Sequence, residues 1–125
     1  MKATLALVFS AAVFAAPAFA DCPYPAAPTN IPDGRTATLE EMVAGQKAVK
    51  AYDLAVKDYV ACIDKELDDA IAKAGDTLKP QQKKDMQNVE AQKHNAAIDQ
   101  LQSVADRFNE QVKVYKAKNA DKSKG

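Results

Sequence analysis

The chain has 125 residues with seventeen basic and seventeen acidic side chains, one histidine, two cysteines, four glycines and no tryptophan. Balanced charge leaves no strong field for nucleic acid or anionic lipid. A composition rich in alanine, lysine, glutamine, aspartate and valine after Thr38 favours long helices over sheet.

Met1–Ala20 opens with one cation, Lys2, continues through the apolar residues Leu5, Leu7, Val8, Phe9, Val13 and Phe14, and closes on the small residues Ala18 and Ala20. Charged start, short apolar stretch and A-x-A exit predict a secretory signal peptide. The apolar stretch is shorter than the roughly 20 residues of a membrane span. Asp21 ahead of Cys22 argues against a lipid-modified cysteine. The expectation is an exported protein, periplasmic or secreted, that starts at Asp21 and is not inserted in a membrane after cleavage. About 105 residues then remain, enough for one domain. Losing Lys2 moves the net charge to −1.

Residues 21–38, "DCPYPAAPTNIPDGRTAT", hold most of the prolines and read as an extended strap. Pro32-Asp33-Gly34 is a turn sequence that lets the strap double back. Thr38-Leu39-Glu40-Glu41 predicts a capping box and the start of a helix. From Met42 through Gly45, Val49, Tyr52, Val56, Tyr59 and Ile63 to Ala74, steps of three and four residues keep one helix face apolar. Gly75 is placed to stop it. The first helix is therefore expected over about 39–74.

Pro80 suits a first helical turn, with either Thr77 or Lys79 as the cap. A second stripe, Val89, Ala91, His94, Ile98, Leu101, Ala105, Phe108, Val112 and Tyr115, predicts a helix over about 80–117. Residues 118–125 read as a disordered basic tail. Two stripes of similar length with a short connection predict an all-α fold, a long antiparallel two-helix hairpin. Folding about Thr77 pairs residues whose numbers sum to about 154, so Val56 meets Ile98 and Met42 meets Val112. Gly45 falls opposite Phe108 and makes room for its ring.

Cys62 lies one position off the first stripe, about 36 Å along the helix from Thr38. A polyproline strap from Thr38 to Cys22 spans about 50 Å and can climb that far. In an oxidising compartment this predicts a Cys22–Cys62 disulfide that fastens the strap; an intermolecular pair and two free thiols are the alternatives. The absence of C-x-x-C argues against a redox enzyme.

Few residues are candidates for chemistry. His94 lies on the second stripe and reads as a packed core histidine, with ligand binding as the functional alternative. No second histidine or carboxylate is expected to complete a metal site with it. Asp64, Glu66, Asp68 and Asp69 read as a solvated charge mosaic, and Lys79, Lys83 and Lys84 as surface. No phosphate loop, nucleophile elbow or EF-hand pattern occurs. Tyr52, Tyr59, Phe108 and Tyr115 read as core aromatics, whereas the strap can lay Tyr24 on Tyr59 or leave it in solvent. Leu54, off the main stripe, hints at a second apolar contact.

Cys22-Pro23-Tyr24-Pro25, "IPDG" at 31–34, Glu41-Met42, "YVAC" at 59–62 and "HNAAIDQL…RFNEQVKVY" between His94 and Tyr115 together resemble small exported proteins of Gram-negative bacteria. The resemblance covers roughly Asp21 to Tyr115 and rests on structural motifs. It implies a periplasmic or secreted helical hairpin and carries no activity onto particular residues.

The sequence thus predicts a non-enzymatic structural or interaction protein of the cell envelope, without a cofactor. A lone hairpin buries one side of each helix and invites a protein partner, either an envelope protein or a second copy in a four-helix bundle. The alternative is a small-ligand or metal carrier with a site near His94, Tyr59 and Tyr24.

Overall fold

The structure, a computed structural model, describes residues 22–124; the signal-peptide reading of residues 1–20 lies outside them. Helix α1 spans Leu39–Ala74, a single 3₁₀ turn covers Gly75–Thr77, and helix α2 spans Pro80–Lys122. The two helices form an antiparallel hairpin, and no strand occurs among the described residues. A Cys22–Cys62 disulfide, with Cα atoms 5.8 Å apart, ties the proline-rich strap to α1.

Local chemistry sets each boundary. The capping box forms at the start of α1: Thr38 Oγ1 accepts from the Glu41 amide at 3.2 Å, and Glu41 Oε2 accepts from the Thr38 amide at 2.7 Å. Gly75 ends the helix at φ 51°, and its amide donates to the Ile71 carbonyl. Thr77 is not the cap of the second helix. Its hydroxyl donates to the Ala74 carbonyl at 2.6 Å, satisfying an orphan acceptor of α1. Lys79 takes the cap position of α2, and its amide is met by Gln82 Oε1 at 3.0 Å.

Two apolar clusters fill the seam. The larger holds Tyr52, Val56, Tyr59, Ile63, Ala97 and Val104, and the smaller holds Ala37, Met42 and Phe108. The expected proximity of Gly45 to Phe108 is present: a Cβ on Gly45 would sit 2.9 Å from Phe108 Cε2 and 2.7 Å from Pro32 Cγ. The strap therefore closes over that layer as a third wall. Ile31 packs against both clusters, and Ala27 and Cys22 against the larger.

The second stripe is displaced by one residue from its expected position. Ala97 and Val104 are fully buried, while Ile98 is 39% and Val89 52% exposed. The expected series (98, 101, 105, 108) and the observed one (97, 101, 104, 108) share Leu101 and Phe108, so periodicity alone does not separate them. The strap does, by covering the flank of α2 that carries Val104 and Gln111. Ile98 and Ala105 are left on the other flank.

The expected disordered tail is likewise corrected. α2 continues to Lys122, because its last turns still have partners. Lys118 Nζ donates to the Ala37 carbonyl at 3.1 Å and lies 5.3 Å from the centre of the Tyr115 ring. Asn119 Nδ2 donates to the Tyr115 carbonyl at 3.0 Å.

Candidate functional site

The strap gives the hairpin two unlike sides. On the covered side the turn forms where the prolines end: the Asp33 carbonyl accepts from the amides of Thr36 (3.1 Å) and Ala37 (2.8 Å). The Asp33 carboxylate accepts from the Arg35 amide at 2.9 Å and pairs with its guanidinium at 3.0 Å. Hydrogen bonding by Arg35 holds the Asp33 carboxyl below the usual range. Gly34 then lies against the backbone of α2. Its amide donates to Gln111 Oε1 at 2.9 Å, and a Cβ there would come within 2.1 Å of the Gln111 carbonyl oxygen.

Further along, Tyr24 meets Tyr59 edge to face, with ring centres 5.1 Å apart and planes at 71°. Half of Tyr24 remains exposed, so the strap both packs this ring and shows it to solvent. Beneath it the Tyr52 hydroxyl is buried without a hydrogen-bond partner. Burial, and secondarily the Tyr24 phenol, pushes the Tyr52 phenol up; the same two causes raise Tyr59, with a smaller contribution from Glu66.

On the opposite side no strap residue intervenes. An open groove runs between the helices, lined by Val49, Lys50, Asp53, Ile98, Leu101 and Ala105, with Gln102 at its edge. Its floor is apolar and its rim carries both charge signs. Leu54, 62% exposed, lies off the seam of the hairpin.

His94 departs most from expectation. It is not a packed core residue, since 42% of its side chain is exposed. Its Nδ1 lies 3.8 Å from Glu90 Oε1, one turn back on α2. Asp64 of α1 completes a cluster in which one ligand-capable atom from each of the three lies within 4.8 Å of the others. The expectation that no carboxylate would join His94 is thereby corrected. Glu90 Oε1 is itself buried and has no hydrogen-bond partner. Burial first, then the neighbouring Asp64 carboxylate, raises the Glu90 carboxyl, with His94 acting in the opposite direction.

No known protein family, curated protein or solved structure matches this chain.

The arrangement does not gather His94, Tyr59 and Tyr24 into one pocket. Tyr59 and Asp64 are five residues apart, which places them about 140° apart around α1. The two tyrosines therefore belong to the strap side and His94 to another face. Asp64, expected only as one of a group of solvated acids, and Glu90, which no expectation named, were both within reach of the sequence. Their numbers sum to 154, the register expected for directly opposed residues, and Glu90 precedes His94 by the four residues that align side chains on a helix. Asp64 is exposed, as expected of that acidic group, yet one of its carboxylate oxygens comes within 4.8 Å of Glu90 and His94 ligand atoms.

Proposed function

We propose that this protein is a non-enzymatic interaction protein of the exported compartment, periplasmic or secreted, that works by pairing helix faces. One observation carries the reading: the strap covers one side of the hairpin and leaves the other with an open, apolar-floored groove. The disulfide suits an oxidising compartment, and no helix of the described residues is long and apolar enough to cross a membrane. The occupant we assign to the groove is a second copy of the chain. Lys50 and Asp53 put both charge signs on its rim around Ile98, Leu101 and Ala105. A two-fold axis through such a patch sets apolar floor on apolar floor and cation against anion, giving a four-helix bundle.

Light scattering behind a sizing column tests this on the oxidised protein. The expected mass is that of a dimer. Ile98→Glu, which puts a charge on the groove floor, is expected to give a monomer with unchanged helix content. A wild-type monomer at the highest soluble concentration refutes self-association through this face.

A further inference from the structure

We infer that Asp64, Glu90 and His94 form a divalent transition-metal site that clamps α1 to α2 beyond the end of the strap. The donor set suits that class of ion. One imidazole with two carboxylates is a zinc-type combination, whereas calcium and magnesium favour oxygen donors alone. Three protein ligands leave a fourth position for water.

The geometry is near what such an ion requires. At bond lengths of about 2.0–2.2 Å, tetrahedral donors stand about 3.4 Å apart. The His94 Nδ1 to Glu90 Oε1 separation is 3.8 Å, and the whole set lies within 4.8 Å. Closing the difference takes up to about 1.4 Å, within reach of side-chain rotation because Asp64 is exposed and His94 half-exposed.

A second observation is independent of that spacing. Glu90 Oε1 is buried without any hydrogen-bond donor, a state that is costly for a carboxylate oxygen. Lys65, next to Asp64 in the chain, does not supply the missing cation, since it pairs with Asp69. Among the described residues no lysine or arginine pairs with Asp64 or Glu90. Two carboxylates thus stand together with only a histidine for company.

The position gives the site a purpose. Fully buried packing toward the hairpin tip ends at Ile63 on α1 and Ala97 on α2, and the strap ends at Cys62. Asp64 and His94 form the next layer, just past the last buried core residues and the end of the strap; from there to the tip the seam holds only half-buried residues such as Leu67, Ile71 and Met86. A cation there would reinforce this less tightly packed end. His94 is also one turn from Ile98, so the clamp borders the open groove without sharing its residues.

The experiment is a calorimetric titration of EDTA-stripped, oxidised protein with Zn²⁺, paired with thermal unfolding followed by circular dichroism. One Zn²⁺ per chain is expected, with a melting temperature that climbs with Zn²⁺ concentration and is insensitive to Mg²⁺. His94→Gln, Asp64→Asn and Glu90→Gln are each expected to weaken Zn²⁺ by about tenfold or more, since even loss of a group behind a metal ligand costs that much. They should fold as the wild type does without metal, because none of the three is a core residue. Co²⁺ in place of Zn²⁺ should give visible absorption bands that His94→Gln abolishes. Weak, multi-site binding that Mg²⁺ competes away, or Zn²⁺ affinity unchanged in His94→Gln, overturns the inference. The outcome does not depend on the dimer, because Ile98→Glu leaves all three ligands in place.

Discussion

Gly34→Ala tests how the strap is seated. A methyl at this position would lie 2.1 Å from the Gln111 carbonyl oxygen and 2.7 Å from the Tyr115 amide nitrogen. Ordinary contact needs about 3.4 Å, so turn and helix must separate by more than 1 Å. Neither is the movable end of a side chain; both are backbone. The separation also breaks the 2.9 Å bond from the Gly34 amide to Gln111 Oε1 and loosens Ala37, which is buried against Met42 and Phe108 just past the turn. Overpacking of this kind costs about 1–3 kcal/mol, and the hydrogen bond about 0.5–1.5 kcal/mol. Together they predict about 2–4 kcal/mol, or a drop in melting temperature of roughly 10 °C or more for a domain of this size. Thermal unfolding of the oxidised protein, followed at the helix band, is the assay. Gln111→Ala separates the two contributions: it removes the hydrogen bond but leaves the carbonyl, so the double variant should remain as destabilised as Gly34→Ala alone. A Gly34→Ala melting temperature within about 2 °C of wild type, or full rescue by Gln111→Ala, refutes a backbone-to-backbone seat.

Further outcomes follow from the same structure. Cys22→Ala with Cys62→Ala opens a 40-residue link and should cost about 4 kcal/mol in the chain-entropy model; limited proteolysis of the double variant should cut first within 22–38, and uniform resistance there would contradict the strap's dependence on the bond. Tyr52→Phe removes a buried hydroxyl that has no partner, so stability should stay level or rise by about 1 kcal/mol in chemical denaturation. Because folding raises the Tyr52 and Tyr59 phenols, their contribution is complete below the unfolded value near 10 and is lost as pH climbs through the folded values. Tyr52→Phe should therefore shrink the alkaline loss of stability. Thr38→Ala should cost about 1 kcal/mol as a lost cap. Hydrogen bonding to Thr38 holds the Glu41 carboxyl below the usual range, so its contribution is present above the ordinary glutamate value and fades as pH falls through the folded one. Glu41→Gln should therefore flatten the acid limb of the stability profile, and an unchanged limb would refute that reading.

Much of the architecture is local chemistry and was legible residue by residue. Thr38 and Glu41 announce the first helix because both halves of a capping box lie within one turn. Gly75 ends it because the chain needs a positive φ there. The Cys22–Cys62 bond was predictable from reach, since strap length and helical rise are fixed by backbone geometry. Gly45 against Phe108 followed from the register of the hairpin.

The rest needed the chain to be folded. A stripe with steps of three and four constrains a helix face only to within a residue. Whether Ala97 or Ile98 enters the seam was decided by the flank on which the strap lies, and that depends on Gly34 fitting the backbone of α2. The same choice leaves Val49, Ile98, Leu101 and Ala105 in an open groove. Lys118 keeps the end of α2 helical through a carbonyl 81 residues away in the chain, a partner that no local pattern contains. The hairpin register opposes Asp64 to Glu90, but the burial of Glu90 Oε1 without a partner appears only once the two helices are packed. Sequence alone therefore determined the hairpin, the caps of its first helix and its disulfide, where the governing contacts are near in the chain or limited by reach. Tertiary structure alone decided which sides are covered and how deeply the groups between the helices are buried, because those are set by the packing of elements far apart in sequence.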